Sequence, residues 1–230
     1  MKAILLAGGY GTRLRPLTLS VPKCLVPIKG RPLLGYWLDF LIGNGFKQII
    51  VNTHWLPEMV MNYVYKSEWH DKVLLVHEPE LLGTAGTIRA NTSLLEDNDI
   101  FVAHADNLVR FDLLNFISKH RNRPANCAMS LLSFRTDSPS SCGILELNNM
   151  NIVVNFYEKA ENPPGNLANG AIYILNSEII NYIHNCNSNF LDFSVDVIPH
   201  FIGRILSIET DGYHRDIGTF ASLSQAELEF

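Results

Sequence analysis

The sequence predicts an α/β fold: an open mixed sheet, mostly parallel, with helices on both faces. Three observations carry this. Up to about residue 120, apolar strand-like runs alternate strictly with helix-like runs, the pattern of parallel strands joined by crossover helices. The first run, Lys2 to Ala7, is continuously apolar and ends in glycines, as a strand buried on both faces does. After residue 125 four strand-like runs follow with little helix between them, which adds a partly antiparallel section.

Residues 8 to 30 are rich in Gly, Pro and Thr and read as loop. "RPLLGYWLDFLIGNG" reads as a helix: Pro32 suits its first turn, Leu33, Trp37 and Leu41 share a face, and Gly43 and Gly45 end it. "KQIIVNT" is a strand, "PEMVMNYVYK" a helix opened by Pro57, and "KVLLVHE" a strand. "GTAGTIRANTSLL" starts as a glycine loop and continues as a helix. "DIFVAHADN" is a strand running out in an aspartate, and "FDLLNFISKH" a helix. The strand-like runs of the later section are "NCAMSLLSF", "CGILELN", "NIVVNFYEK" and "LANGAIYIL". "SEIINYIHN" and "FSVDVIPHFIG" read as helical, "RILSIET" as a strand and "FASLSQAELEF" as a closing helix. No repeat, low-complexity tract or linker interrupts residues 1–230, so one continuous domain is expected.

Hydrophobic residues make up 47% of the 230 and charged residues 18%, an ordinary globular composition with a sizeable core. The net charge of −5 argues against a broad nucleic-acid surface, though not against a local cationic pocket. Cys24, Cys127, Cys142 and Cys186 form no CxxC pair and read as reduced packing residues. The histidines show no ligand spacing such as HExxH, and no serine or cysteine sits in a nucleophile elbow. The N-terminal apolar run is too short for a leader and no stretch reaches the roughly 20 residues needed to span a bilayer. A cytoplasmic protein with no membrane or nucleic-acid partner is expected.

Gly8, Gly9 and Gly11 follow the first strand, with Arg13 and Lys23 close behind. Alone they fit a tight turn with exposed cations as well as a loop whose backbone N–H groups hold an anion. The pattern is not a P-loop, which needs GxxxxGK[ST], and Leu14 stands where a dinucleotide fingerprint needs its last glycine. The longer stretch "LAGGYGTRLRPLTLSVPK" resembles the signature of the sugar-1-phosphate nucleotidyltransferases, the NDP-sugar pyrophosphorylases. Further segments resemble that family in the same order, across nearly the whole chain: "LLGTAGT", "FVAHADN", "FYEK", "ANGAIYIL", "FSVDVIP" and "YHRDIGT".

The resemblance implies a Rossmann-like nucleotide-diphospho-sugar transferase fold, with a nucleotide-binding part over about 1–125 and a sugar-binding part over about 126–216. It implies that Leu6, Ala7, Gly8, Gly9, Gly11 and Thr12 wrap a triphosphate, that Arg13 holds departing pyrophosphate, and that Lys23 neutralises the α-phosphate and the incoming sugar phosphate. Gly83, Thr84, Ala85 and Gly86 would meet the base. Asp106 and Asp216 would hold Mg²⁺. Asn107, Gly143, Glu158, Lys159, Asn169 and Gly170 would line the sugar, and Asp196 would be structural. The sequence departs from the family at Ala105, where a glycine is usual before the aspartate, at Cys142, and in the order Asn169-Gly170-Ala171. As an adjacent pair on a strand, Glu158 and Lys159 are expected on opposite faces.

The implied reaction joins an NTP and a sugar 1-phosphate into an NDP-sugar with release of pyrophosphate. The glycine-loop signature and GTAGT favour GTP with a mannose- or heptose-like sugar; UTP or dTTP is the alternative. A non-catalytic nucleotide-sugar-binding regulator is the rival from another class. No C-terminal β-helix is expected, so a monomer or a homodimer through the core is.

Overall fold

The computed structural model describes residues 1–95 and 99–230. Lys2–Leu6 forms β1, buried along its middle as its apolar run requires. The stretch read as loop is more ordered than expected: it winds through three 3₁₀ turns, Thr12–Leu14, Leu17–Leu19 and Lys23–Leu25. It then closes a short ladder between β2 (Pro27–Ile28) and β3 (Arg31–Pro32). Helix α1 runs Leu33–Gly43, with Pro32 just outside it as the N-cap rather than within the first turn. Then follow β4 (Ile49–Thr53), α2 (Pro57–Tyr65), β5 (Val73–His77), α3 (Thr84–Ala90) and β6 (Asp99–His104).

A short strand absent from the sequence reading, β7 (Asn107–Arg110), precedes α4 (Leu113–Arg121), whose N-cap Asp112 accepts from the Asn115 N–H. The antiparallel section consists of β8 (Met129–Arg135), β9 (Gly143–Leu147), β10 (Val153–Glu158) and β11 (Leu167–Asn176). Helix α5 spans Ser177–Asn185 as expected. "FSVDVIPHFIG" is not one helix: a π turn at Phe193–Val197 gives way to a 3₁₀ turn at Ile198–Phe201, where Pro199 has no N–H to continue the helical ladder. β12 (Ile205–Glu209), a second unforeseen strand β13 (Tyr213–Asp216), and α6 (Phe220–Glu229) complete the chain. The mixed, mostly parallel central sheet with helices is the one the sequence predicts.

The chain divides into two compact units. The first gathers Lys2–Leu81, Ala103–Arg110 and Tyr213–Phe230. In it β1, β4 and β5 pair in parallel, Ala3 opposite Ile49 and Ile49 opposite Val73. β13 pairs antiparallel with β7, Asp216 opposite Asn107. Leu14, Val26, Ile28, Leu33, Leu108, Ile217 and Ala226 pack into one cluster that fixes the glycine-rich segment against α6 and the β7–β13 ladder. The Trp37 indole N–H donates to the Asn107 carbonyl over 2.7 Å, pinning α1 to β7.

The second unit holds Leu82–Val102 and Phe111–Gly212. Here β11 pairs antiparallel with β8 and β9, β9 pairs antiparallel with β10, and β12 runs parallel to β8. The register of β11 shifts between Asn169 and Tyr173, a bulge at the Asn-Gly-Ala order noted above.

Candidate functional site

In the first unit, cations and carboxylates from distant stretches of sequence meet. Pro22 leads Lys23 into a 3₁₀ turn whose three residues are all buried. Its ammonium donates to Asp106 and, over 3.1 Å, to Asp216 Oδ1. Arg13, far more exposed, reaches Asp216 Oδ2 over 3.4 Å. The two aspartates are brought together by the β7–β13 ladder and by the Ile217 N–H, which donates to the Asp106 carbonyl. Gly218 lies close beside them: a Cβ there would lie 2.6 Å from Asp216 Oδ2 and 2.7 Å from Arg13 Nη2, so both side chains would have to move aside.

Burial disfavours the Lys23 ammonium, but the charges and hydrogen bonds of Asp106 and Asp216 outweigh it and hold its pKa above the ordinary lysine value. Burial likewise disfavours the Asp106 carboxylate, yet Lys23 and then His104 hold its pKa below the usual value. Neighbouring Cys24 is pushed up to about 12, first by burial and then by Asp106, so it is an inert thiol.

The glycine loop lies in the same unit. Gly11 sits in the left-handed region at φ +62°, and a Cβ on Gly9 would meet nothing within 4 Å, so the loop's outer side is open. Its inner side rests on residues the sequence reading passed over. Asn52 Oδ1 accepts from the Ala7 N–H over 2.6 Å, and Asn52 Nδ2 donates to Glu78 Oε1 over 3.1 Å. His54 donates from Nδ1 to the Glu78 carbonyl and pairs through Nε2 with the Tyr10 hydroxyl, 2.8 Å each. The available signal was a polar Asn52 and an acidic Glu78 at the ends of otherwise apolar strands.

The remaining expected residues, Asn107 apart, belong to the second unit. Gly83 is the N-cap of α3; its φ is +81° and a Cβ would lie 2.5 Å from the Leu191 carbonyl oxygen. That carbonyl accepts from the Ala85 and Gly86 N–H groups over 2.9 and 3.0 Å. The Thr84 hydroxyl donates to Asp192 over 3.2 Å and accepts from the Phe193 N–H over 2.7 Å. Asp196 accepts from the Asp192 N–H, the structural role expected of it.

Gly143 faces Phe156 and Glu158: a Cβ would come within 2.6 Å of the ring's Cε2 and 2.7 Å of Glu158 Oε2. Glu158 and Lys159 do not point to opposite faces. β10 ends at Glu158, Lys159 turns to φ +48°, and the two side chains pair at 3.2 Å. At the bulge, Asn169 donates to the Tyr173 hydroxyl over 2.7 Å and accepts from the Ala171 N–H over 3.0 Å. Among the described residues no cluster of three or more His, Cys, Asp or Glu could hold a metal. None of their helices is long and apolar enough to cross a membrane.

A family model described as "Nucleotidyl transferase" matches residues 2–230. The chain belongs to the nucleotidyl transferase family. Among its relatives, mannose-1-phosphate guanyltransferase 2 of Candida glabrata is 30% identical over 95% of this chain and 61% of its own length. The mannose-1-phosphate guanyltransferase of Saccharomyces cerevisiae is also 30% identical, with the same coverage of each chain. The chain thus spans about three fifths of the length of these curated relatives. The structure of HddC from Yersinia pseudotuberculosis complexed with GMP-PN is 26% identical, covers 100% of this chain and 99% of its own, and superposes with a TM-score of 0.83. A Bacillus anthracis structure in complex with a sucrose shares the nucleotidyl transferase fold at 22% identity and a TM-score of 0.90, over 99% of this chain and 94% of its own.

Proposed function

We propose that this chain transfers a nucleotidyl group from an NTP, GTP by preference, to a mannose- or heptose-like sugar 1-phosphate, releasing pyrophosphate. The observation that carries the reading is the meeting of Lys23, Arg13, Asp106 and Asp216 beside an open glycine loop at the carboxyl end of β1. The names of the guanyltransferase relatives and the guanine nucleotide analogue bound by HddC support the base and the sugar class.

In this reaction a phosphate oxygen of the sugar 1-phosphate attacks the nucleotide α-phosphorus in line. The bond to pyrophosphate breaks and its electron pair leaves with the pyrophosphate oxygen. The attacking group is already an anion, so neither a general base nor a covalent intermediate is needed. The obstacle is the repulsion between two polyanions. Lys23, preorganised by its two carboxylates, neutralises the α-phosphate and the sugar phosphate. Arg13, exposed and free to reach outward, takes the pyrophosphate. Backbone N–H groups of Leu6–Thr12 hold the triphosphate, and Gly83–Gly86 meet the base. Asn107, Gly143, Glu158, Lys159, Asn169 and Gly170 line the sugar.

Asp106 and Asp216 fit a Mg²⁺ ion: both converge on one cation, Lys23 Nζ, and two hard oxygen donors leave positions for phosphate and water. When bound, the ion supplies charge neutralisation to the phosphates.

The test is pyrophosphate release with Mg²⁺, each NTP against a panel of hexose, amino-sugar and heptose 1-phosphates. Release with GTP and a mannose- or heptose-type partner is expected. Release only with UTP or dTTP would overturn the base assignment. Nucleotide binding with silence across the panel would favour a non-catalytic regulator.

A further inference from the structure

The middle of the glycine loop has a single side chain. Between Ala7 and Gly11 the chain reads Gly8-Gly9-Tyr10, and two successive glycines leave the backbone free to take many shapes. A loop that holds a ligand by its backbone N–H groups has to settle in one of them, and whatever is left to be ordered on binding costs affinity. The two ends are tied. The Ala7 N–H donates to Asn52 Oδ1, and the Gly11 carbonyl accepts from the Thr18 hydroxyl over 2.8 Å. Gly9 has open space beside it and no side chain to pack. Side-chain support for the middle therefore falls to Tyr10.

Tyr10 is seated on the residues that leave β4. Its hydroxyl lies 2.8 Å from His54 Nε2, and its ring meets His54 edge-on at 5.1 Å and Trp55 at 5.5 Å between centroids. Both partners are themselves fixed. His54 Nδ1 faces the Glu78 carbonyl, which can only accept, so Nδ1 carries the proton and Nε2 of the neutral ring accepts from the phenol. The Trp55 indole N–H donates over 2.8 Å to the carbonyl of Thr18, the residue whose hydroxyl holds Gly11. Tyr10 stays 38% exposed, so its place is explained by these attachments rather than by filling a core. The reaction above uses none of the three aromatic residues.

We infer that Tyr10 is a positioning residue: bonded to His54 and packed on Trp55, it holds the glycine loop in the shape that receives the triphosphate. It acts through the loop backbone and does not touch the reacting atoms. The role rests on the nucleotidyltransferase reading and adds to it the side chain that preorganises the phosphate-holding loop.

Tyr10→Phe removes the hydroxyl and keeps the ring; Tyr10→Ala removes both. The test measures the Kd of the nucleotide the wild type uses best, and kcat and both KM values for pyrophosphate release. Tyr10→Phe is expected to raise the nucleotide Kd and KM about fivefold, the scale of one hydrogen bond, and Tyr10→Ala about tenfold or more. In both variants kcat and the KM for the sugar 1-phosphate stay within about twofold, because the loss is paid in ordering the loop before chemistry. His54→Phe supplies the second arm. In that background the phenol has lost its acceptor, so adding Tyr10→Phe is expected to change the nucleotide Kd no further. Wild-type nucleotide affinity in Tyr10→Ala overturns the inference, whatever happens to the melting temperature. A fall in kcat without a rise in KM overturns it by placing the phenol at the reacting phosphates. An undiminished effect of Tyr10→Phe in the His54→Phe background overturns it by placing the hydroxyl on the nucleotide itself. A wild type that neither binds nor turns over any nucleotide would instead remove the nucleotidyltransferase reading, and this role with it.

Discussion

Lys23 lies buried at 8% exposure, which no lysine adopts without compensation, and here Asp106 and Asp216 supply it. Removing the ammonium leaves two carboxylates facing each other and, on the proposed function, no cation for the transferring phosphate. Lys23→Ala is expected to lower kcat on the order of 100-fold or more, the scale of losing one preorganised donor, with a smaller rise in KM. Steady-state kinetics on the folded variant checks this, and near-normal turnover would end the role. His120 is a separate case, structural rather than catalytic. It is fully buried, its Nδ1 lies 2.9 Å from the Ser130 hydroxyl and its Nε2 3.4 Å from Asp99. Burial, then Arg123, lower its pKa to about 4, against the raising influence of Asp99. Since the folded pKa lies below the unfolded one, the unfolded chain takes up the proton first as pH falls. Stability is fully present above about pH 6.5 and declines towards pH 4, by about 3 kcal/mol for this group. Urea unfolding of wild type against His120→Gln at pH 7, 6 and 5 should show the wild type losing stability faster. Parallel losses would contradict the assignment.

The segment Leu191–Val195 clamps the Gly83–Gly86 loop: the Leu191 carbonyl accepts from the Ala85 and Gly86 N–H groups, its N–H donates to the adjacent Leu82 carbonyl, and Asp192 holds Thr84 while capping Ser194 and Val195. Asp192→Ala frees all three groups at once, and loss of such a cap alone costs about 1 kcal/mol. The nucleotide KM is expected to rise about tenfold with kcat less affected; the reverse split in initial-rate kinetics would place Asp192 in the chemistry instead. This clamp was not legible in the sequence, because Asp192 stands more than a hundred residues from Thr84 and no spacing rule links them. Elements with a strong period were legible: α5 lies where "SEIINYIHN" put it, and β1, β4 and β5 follow their apolar runs. β7 and β13 were not. Four residues such as "YHRD" carry no apolar alternation, and their pairing is set by packing on Leu108 and Ile217. The same ladder unites Asp106 with Asp216, a meeting that the resemblance implied but that no spacing between them could show. Lys159 shows the limit at one residue: the two-residue period of a strand fails where the chain leaves it at positive φ.

At the scale of the whole molecule, the proposed function asks an acidic chain of net charge −5 to hold a polyanion. Long-range electrostatics opposes this, so affinity must come from local cations and from charge neutralisation at Asp106 and Asp216. Without a divalent ion those two carboxylates face the phosphates with only Lys23 and Arg13 to offset them. Ligand binding and stability are linked: a nucleotide at 100 times its Kd stabilises the folded chain by about 2.7 kcal/mol. For a chain of this size that corresponds to a rise of about 5–10 °C in Tm. GTP with Mg²⁺ should produce such a rise, and GTP in EDTA should lose most of it. In Asp216→Asn the metal-dependent part should shrink, while the metal-free shift stays equal or grows, because a carboxylate charge has been removed from beside the phosphates. Thermal unfolding of both proteins, with and without EDTA, reads all four values. Equal shifts with and without Mg²⁺ in the wild type would mean that Asp106 and Asp216 serve Lys23 alone. Their carboxylates would then be the scaffold of a buried cation rather than the seat of a metal.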